Sequence, residues 1–254
     1  MLLSGQSNNP LAKGVNRTAS RIHRLSLNVH MQRTCFYPFL LVLTGLALDA
    51  CVSAEPTFQP AVTIVLAPDA PSAVSSEYME ATRLVVQERL DAVFAASSRV
   101  TVDGSYLKVE LSSSENAALA GNLATEIGII EFWRSPTPVE PDTAVPSDLV
   151  PVMNGLDISE ARAERDRAGN TWQVVVQFTP SGTEKLAQFT ASKVGQYLVI
   201  SRDRQVVSAP YVKEPITGGQ AVIAGAYTEI IAKSLAAVLN SGALPVPLKI
   251  VSVD

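Results

Sequence analysis

Residues 36–50, FYPFLLVLTGLALDA, are the one long apolar run in the chain, and they separate a leader from the part that must fold in water. The run is about 15 residues, short of the roughly 20 that a membrane-spanning helix needs. Arg33 precedes it and small residues follow it, the order of a signal peptide. The thirty residues before Met31 are polar, carry Lys13, Arg17, Arg21 and Arg24, and show no clear amphipathic period. A signal peptide beginning at Met31 has ordinary proportions, so residues 1–30 read as a long n-region or an untranslated, disordered prefix. Residues 1–54 together read as a signal or lipoprotein-anchor segment.

The run ends Leu48-Asp49-Ala50-Cys51, which resembles the bacterial lipobox and makes Cys51 the candidate lipidation site. Leu48 and Ala50 fit that pattern; Asp49 departs from it. Ordinary cleavage after Val52-Ser53-Ala54 and an uncleaved anchor stay open beside it. Each alternative puts residues 55–254 outside the cytoplasm, with lipidation adding attachment to the membrane of the cell envelope.

The leader also holds every cysteine and histidine. The two cysteines, Cys35 and Cys51, and the two histidines, His23 and His30, all lie at or before position 51. Residues 52–254 therefore have no thiol for a disulfide or a nucleophile, and no imidazole for a metal or a general base. Gly218-Gly219 lacks the Lys-Ser/Thr of a phosphate loop and reads as a turn. Nothing in the spacing of Glu110 and Glu115 selects them as a catalytic acid and base. Trp133 and Trp172 read as core or strand-face residues rather than ligand platforms. A net charge of −4 gives no basic field for nucleic acid. No catalytic, cofactor-binding or metal-binding residue emerges, and the expectation is a non-enzymatic protein without cofactors.

After a short tether at 52–60, residues 62–66 (VTIVL) form a β-branched strand. Ser75 or Ser76 caps a helix over 77–94, whose stripe is Met79, Val86, Leu90 and Val93 and whose opposite flank is Glu77, Glu80, Glu88 and Asp91. Asp103-Gly104 joins two strands at 100–102 and 106–111 in a hairpin. A helix at 114–125 and a strand at 128–133 complete the order strand, helix, strand, strand, helix, strand, which is that of a ferredoxin-like lobe. Residues 135–151 hold five prolines and read as a linker or long loop. A second half starts at Gly155, with strands at 158–166, 171–178, 197–201, 205–209, 220–226 and 247–253. Its two helices follow Thr179-Pro180 and Thr228. The predicted class is α+β, with two ferredoxin-like (split β-α-β) lobes of mixed or antiparallel sheets at 55–134 and 152–254, joined by the proline-rich segment.

An ordered series of segments then carries a family resemblance. These are residues 155–166 (GLDISEARAERD), Phe178-Thr179-Pro180-Ser181-Gly182, Val194-Gly195, Val207-Ser208-Ala209-Pro210, Glu214-Pro215-Ile216-Thr217-Gly218-Gly219, and residues 239–248 (LNSGALPVPL). Together they resemble the first large extracytoplasmic domain of SecD, a subunit of the protein translocase. Residues 62–133 resemble the preceding part of that domain more faintly, making 55–134 a base lobe and 152–254 a head-like domain. One departure is Asp203-Arg204, where the family has an Asp-Gly turn, so a looser or longer hairpin is expected. The chain ends seven residues after Pro247, before the membrane helices with which SecD continues. The resemblance thus implies an accessory binding protein in export without its own proton path. Its partners would be unfolded or emerging polypeptide, or translocon components. A structural or interaction lipoprotein of the envelope, with no role in transport, is the alternative.

Overall fold

The structure, a computed structural model, describes residues 58–70 and 72–254. Its elements follow in the order β1 (Val62–Pro68), α1 (Ser76–Phe94), β2 (Ser98–Asp103), β3 (Tyr106–Leu111), α2 (Ala117–Thr125), β4 (Ile130–Ser135), β5 (Val150–Asn154), β6 (Ile158–Arg165), β7 (Trp172–Phe178), α3 (Pro180–Ser192), β8 (Tyr197–Arg202), β9 (Gln205–Ser208), β10 (Gln220–Tyr227), α4 (Glu229–Ser241) and β11 (Leu248–Val253). The class is α+β and every strand pair is antiparallel.

The three sheets have the orders β11-β1-β3-β2, β10-β7-β6 and β5-β4-β8-β9. This corrects the expected strand placement at two points. The strand expected to close the first lobe, β4, lies instead between β5 and β8, and β11 takes the place beside β1. The C-terminal strand expected in the second half thus belongs to the first sheet, and the strands from β4 to β10 fill two further sheets rather than one. The physical reason is non-local. Ile64 and Leu66 of β1 are fully buried, and β11 pairs along β1 and adds its own buried Leu248 to the same core.

The helices start where the chain supplies a cap. The side chains of Ser75, Thr179 and Thr228 accept from backbone N–H groups of the first turns of α1, α3 and α4. Helix α4 is central: its buried face, Ala232, Leu235, Val238 and Leu239, joins the Ile64–Leu66–Val86 core of the first sheet to Val174, Val176 and Phe178 of the second in one continuous apolar cluster.

The proline-rich segment packs on the third sheet. Val145 is buried with Trp133, Val199 and Val206, and the backbone of 142–145 bonds along β9. Its last residues, including Pro151, form the edge strand β5, a position where the missing N–H of proline is tolerated. The β8–β9 hairpin is tight rather than loose. Asp203 and Arg204 both adopt left-handed φ, 52° and 67°, which gives the two-residue turn suited to a twisted hairpin. Contacts hold this costly backbone in place. The Asp203 carboxylate accepts from the N–H groups of Gly128 (3.0 Å) and Ile129 (2.8 Å), and the Arg204 guanidinium lies 4.6 Å over the Trp133 ring.

Candidate functional site

The second and third sheets face each other across a cavity of about 330 Å³. Its walls are apolar: Phe132 and Ile200 from the third sheet, Phe178 and Ile223 from the second, and Val212 and Ile216 from the segment that joins β9 to β10. Phe132 and Phe178 meet edge to face, with ring centroids 5.7 Å apart. Period-2 alternation places them there. In β7, Val174, Val176 and Phe178 share the buried face. The segment over the mouth is fixed at both ends, by Leu198 N–H donating to Pro210 O (3.0 Å) and Ile216 N–H donating to the Thr190 hydroxyl (2.9 Å).

A second, wider cavity of about 730 Å³ lies between α2, α4, β9 and the end of β10. Leu119, Leu123 and Leu235 form apolar wall, and Glu126, Arg202 and Tyr227 bring polar groups. Burial pushes the Glu126 carboxyl above its ordinary pKa, against the Arg202 guanidinium that pairs with it. Burial likewise pushes the Tyr227 phenol up.

Beside this cavity, Arg89 is fully buried. Its guanidinium donates to the Ser241 hydroxyl (2.9 Å) and to the carbonyls of Leu123 (3.1 Å), Glu126 (2.5 Å), Ile127 (3.1 Å) and Gly242 (2.6 Å). These acceptors lie at or just beyond the C-terminal ends of α2 and α4, where helix dipoles present negative charge. They also mark the two places where the chain leaves the first sheet and returns to it. Loss of solvation lowers the Arg89 pKa to about 10. Gly128 is obligatory here: its φ is +84°, and a Cβ would stand 2.4 Å from an Arg89 nitrogen.

The segments singled out in the sequence meet one another in this scaffold. Asp157 is buried, receives Lys185 Nζ at 2.7 Å, and offers its carbonyl to Thr179 N–H at 2.9 Å. A Cβ on Gly182 would lie 2.4 Å from that carbonyl oxygen. In the 239–248 segment, Asn240 bonds both backbone groups of Ala161 in β6 (2.7 and 2.8 Å), while Ser241 and Gly242 receive Arg89. Trp133 is buried and its indole N–H donates to Ser201 Oγ at 2.8 Å; Trp172 lies on the strand face under Arg165. Glu110 is in β3, and Glu115 lies in the short turn before α2. The candidate lipidation site Cys51 lies outside the described residues.

Sequence reading missed Arg89, although position 89 falls on the α1 stripe between Val86 and Val93. It also missed Val212 and Ile216, whose loop pattern carries no burial signal. Among the described residues, no helix is long and apolar enough to cross a membrane.

Comparison with known proteins gives a consistent picture. The family described as "SecDF, P1 head subdomain" matches residues 135–246. The protein translocase subunit SecDF of Thermus thermophilus is 33% identical over 202 residues, covering 69% of this chain and 27% of that protein. The protein translocase subunit SecD of Dictyoglomus turgidum is 30% identical over 179 residues, covering 70% of this chain and 42% of that protein. The chain thus spans well under half the length of these curated relatives. A solved structure described as a membrane component SecDF that enhances protein export superposes with a TM-score of 0.60 at 31% identity, covering 75% of this chain and 98% of that one.

Proposed function

Since this chain belongs to the SecD family through the domain that its relatives call P1, we propose that it serves protein export as a non-enzymatic accessory module outside the cytoplasm, holding extended or emerging polypeptide. The observation that carries this reading is the apolar cavity between the second and third sheets, walled by Phe132, Phe178, Ile200 and Ile223. An unfolded chain exposes side chains of the kind that such walls bury favourably, at about 25 cal/mol per Å² of apolar surface removed from water. In this reading β1–α2 with β11 form a base, β4–β10 form a head, and the mature chain is held at the membrane through a lipid on Cys51. Translocon components are its expected neighbours.

The test is binding of a reduced, carboxymethylated protein to the purified chain. A complex at tens of micromolar or tighter, weakened by Ile223→Asp, supports the reading, whereas the absence of any complex at that concentration overturns it. The alternative, a structural or interaction lipoprotein of the envelope with no role in transport, draws on Leu48-Asp49-Ala50-Cys51. Cross-linking in cells separates the two. Recovery of translocon subunits and nascent chains favours the first, and recovery of one unrelated envelope protein favours the second.

A further inference from the structure

The strand edges of the second and third sheets are not treated alike. In β6 the outward N–H and C=O of Ala161 are both taken by the Asn240 amide, which mimics a neighbouring strand. In β9 the outer edge is covered by the proline-rich segment: Val206 N–H donates to Thr143 O at 2.8 Å and Asp142 N–H donates to Val206 O at 2.8 Å. β5 carries Pro151. These are devices that keep a sheet from adding strands.

Among the described residues, β10 has none of them. It is the end strand of its sheet, and its sequence, QAVIAGAY, contains no charge and no proline. Phe178 N–H donates to Gly219 O at 2.9 Å, which sets the alternation of the β7–β10 pair. The N–H and C=O groups of Gln220, Val222 and Ala224 then point away from β7. Side chains 220, 222 and 224 are exposed. Residues 220–223 line the first cavity and residues 224–227 line the second, so the edge runs from one to the other.

We propose that β10 accepts an extended, uncharged polypeptide segment as an added strand, held by main-chain bonds to Gln220, Val222 and Ala224, with apolar side chains entering the flanking cavities. This rests on the holding function proposed above and names its mode, addition of a strand to an open sheet edge. Main-chain recognition reads no particular sequence, and the uncharged edge selects against charged segments through the cost of desolvating them.

The experiment uses the full chain and two fluorescent nine-residue peptides of alternating Val and Thr with blocked ends. One is unmodified, and the other is N-methylated at alternate amides along one edge. Strand addition predicts about tenfold or greater weakening on N-methylation, because two or three hydrogen bonds are lost while side chains remain. It also predicts slowed amide hydrogen exchange at Val222 and Ala224 on binding. Val222→Pro removes an outward donor and leaves the β7 ladder its bonds, and Ala224→Lys places a charge on the edge; each should weaken the unmodified peptide by about tenfold. Should Val222→Pro fail to fold, Ala224→Lys and the peptide pair on the unaltered chain still decide. Equal affinity for the two peptides overturns strand addition while leaving the holding function intact. Absence of binding by both peptides and by unfolded protein overturns both. A chain that dimerises through β10, with dimers broken by Ala224→Lys and no peptide bound, assigns the edge to a second copy and also overturns the proposal.

Discussion

Replacing Arg89 by Met tests whether one buried guanidinium holds the fold together at its two crossings. Methionine keeps much of the volume and the flexible stem, so the substitution removes charge and donors rather than packing. Exchanging a whole buried ion pair for apolar groups can be neutral, but here the partners are backbone carbonyls, which no substitution removes. The carbonyls of Leu123, Glu126, Ile127 and Gly242 would lose a donor together. Each buried acceptor left alone costs about 1–3 kcal/mol, less where water can enter from the neighbouring cavity. The penalty already borne for burying the charge, visible in a pKa lowered to about 10, is recovered on mutation and offsets part of the loss. Four orphaned acceptors less the recovered desolvation leave an expected net destabilisation of about 3–5 kcal/mol. That is a large share of the roughly 5–15 kcal/mol that holds a domain folded. For a chain of this size it lowers the melting temperature by about 6–20 °C. Urea melts followed by circular dichroism measure it, with Arg89→Lys expected to lose less. A loss below about 1 kcal/mol for Arg89→Met would refute the reasoning, since it would mean that the carbonyls find other donors at little cost.

Asn240→Ala should cost about 1–3 kcal/mol by leaving both backbone groups of Ala161 without their partner, and should raise the hydrogen-exchange rate of the Ala161 amide. Glu126→Gln addresses pH. Because burial raises the Glu126 pKa in the folded state, its contribution is fully present below the unfolded value and is lost as pH rises through the folded one. The stability of the Gln variant relative to the natural chain should therefore improve from pH 4 to pH 7 in paired denaturant titrations, and a flat difference would contradict the cause assigned. Mass spectrometry of the mature N-terminus should find an acylated Cys51; an unmodified chain beginning at Glu55 would assign ordinary cleavage instead.

Much of the local structure was legible because it is written in short-range chemistry. The alternation of 172–178, the caps Ser75, Thr179 and Thr228, and the Asp103-Gly104 hairpin each specify an element through a few neighbouring residues. What was not legible was which strands pair across long distances. β4 has the same apolar alternation whether it closes the first sheet or enters the third, and only the Arg89 junction and the β11 face decide between them. β5 was hidden by Pro151, which argues against a strand except at an edge. The Asp203-Arg204 turn misled for a related reason: without glycine its left-handed backbone looked costly, and the contacts to Gly128, Ile129 and Trp133 that support it come from 70 or more residues away. The apolar cavity was hinted at only by Phe132 and Phe178 within their strands; its remaining wall comes from a loop.

The pairing of β1 with β11 has a consequence for how the chain is made. Thr63 and Asp254 exchange backbone bonds of 2.9 Å, so β1 waits for the distant β11 before their sheet is whole. Contacts so far apart in sequence are slow to form, because loop-closure entropy is spent before they reward it. Until β11 has been made, one edge of β1 stands open, and a chaperone would act on this intermediate. Docking of β11, rather than formation of any single helix, then sets the moment at which this sheet becomes resistant to proteolysis.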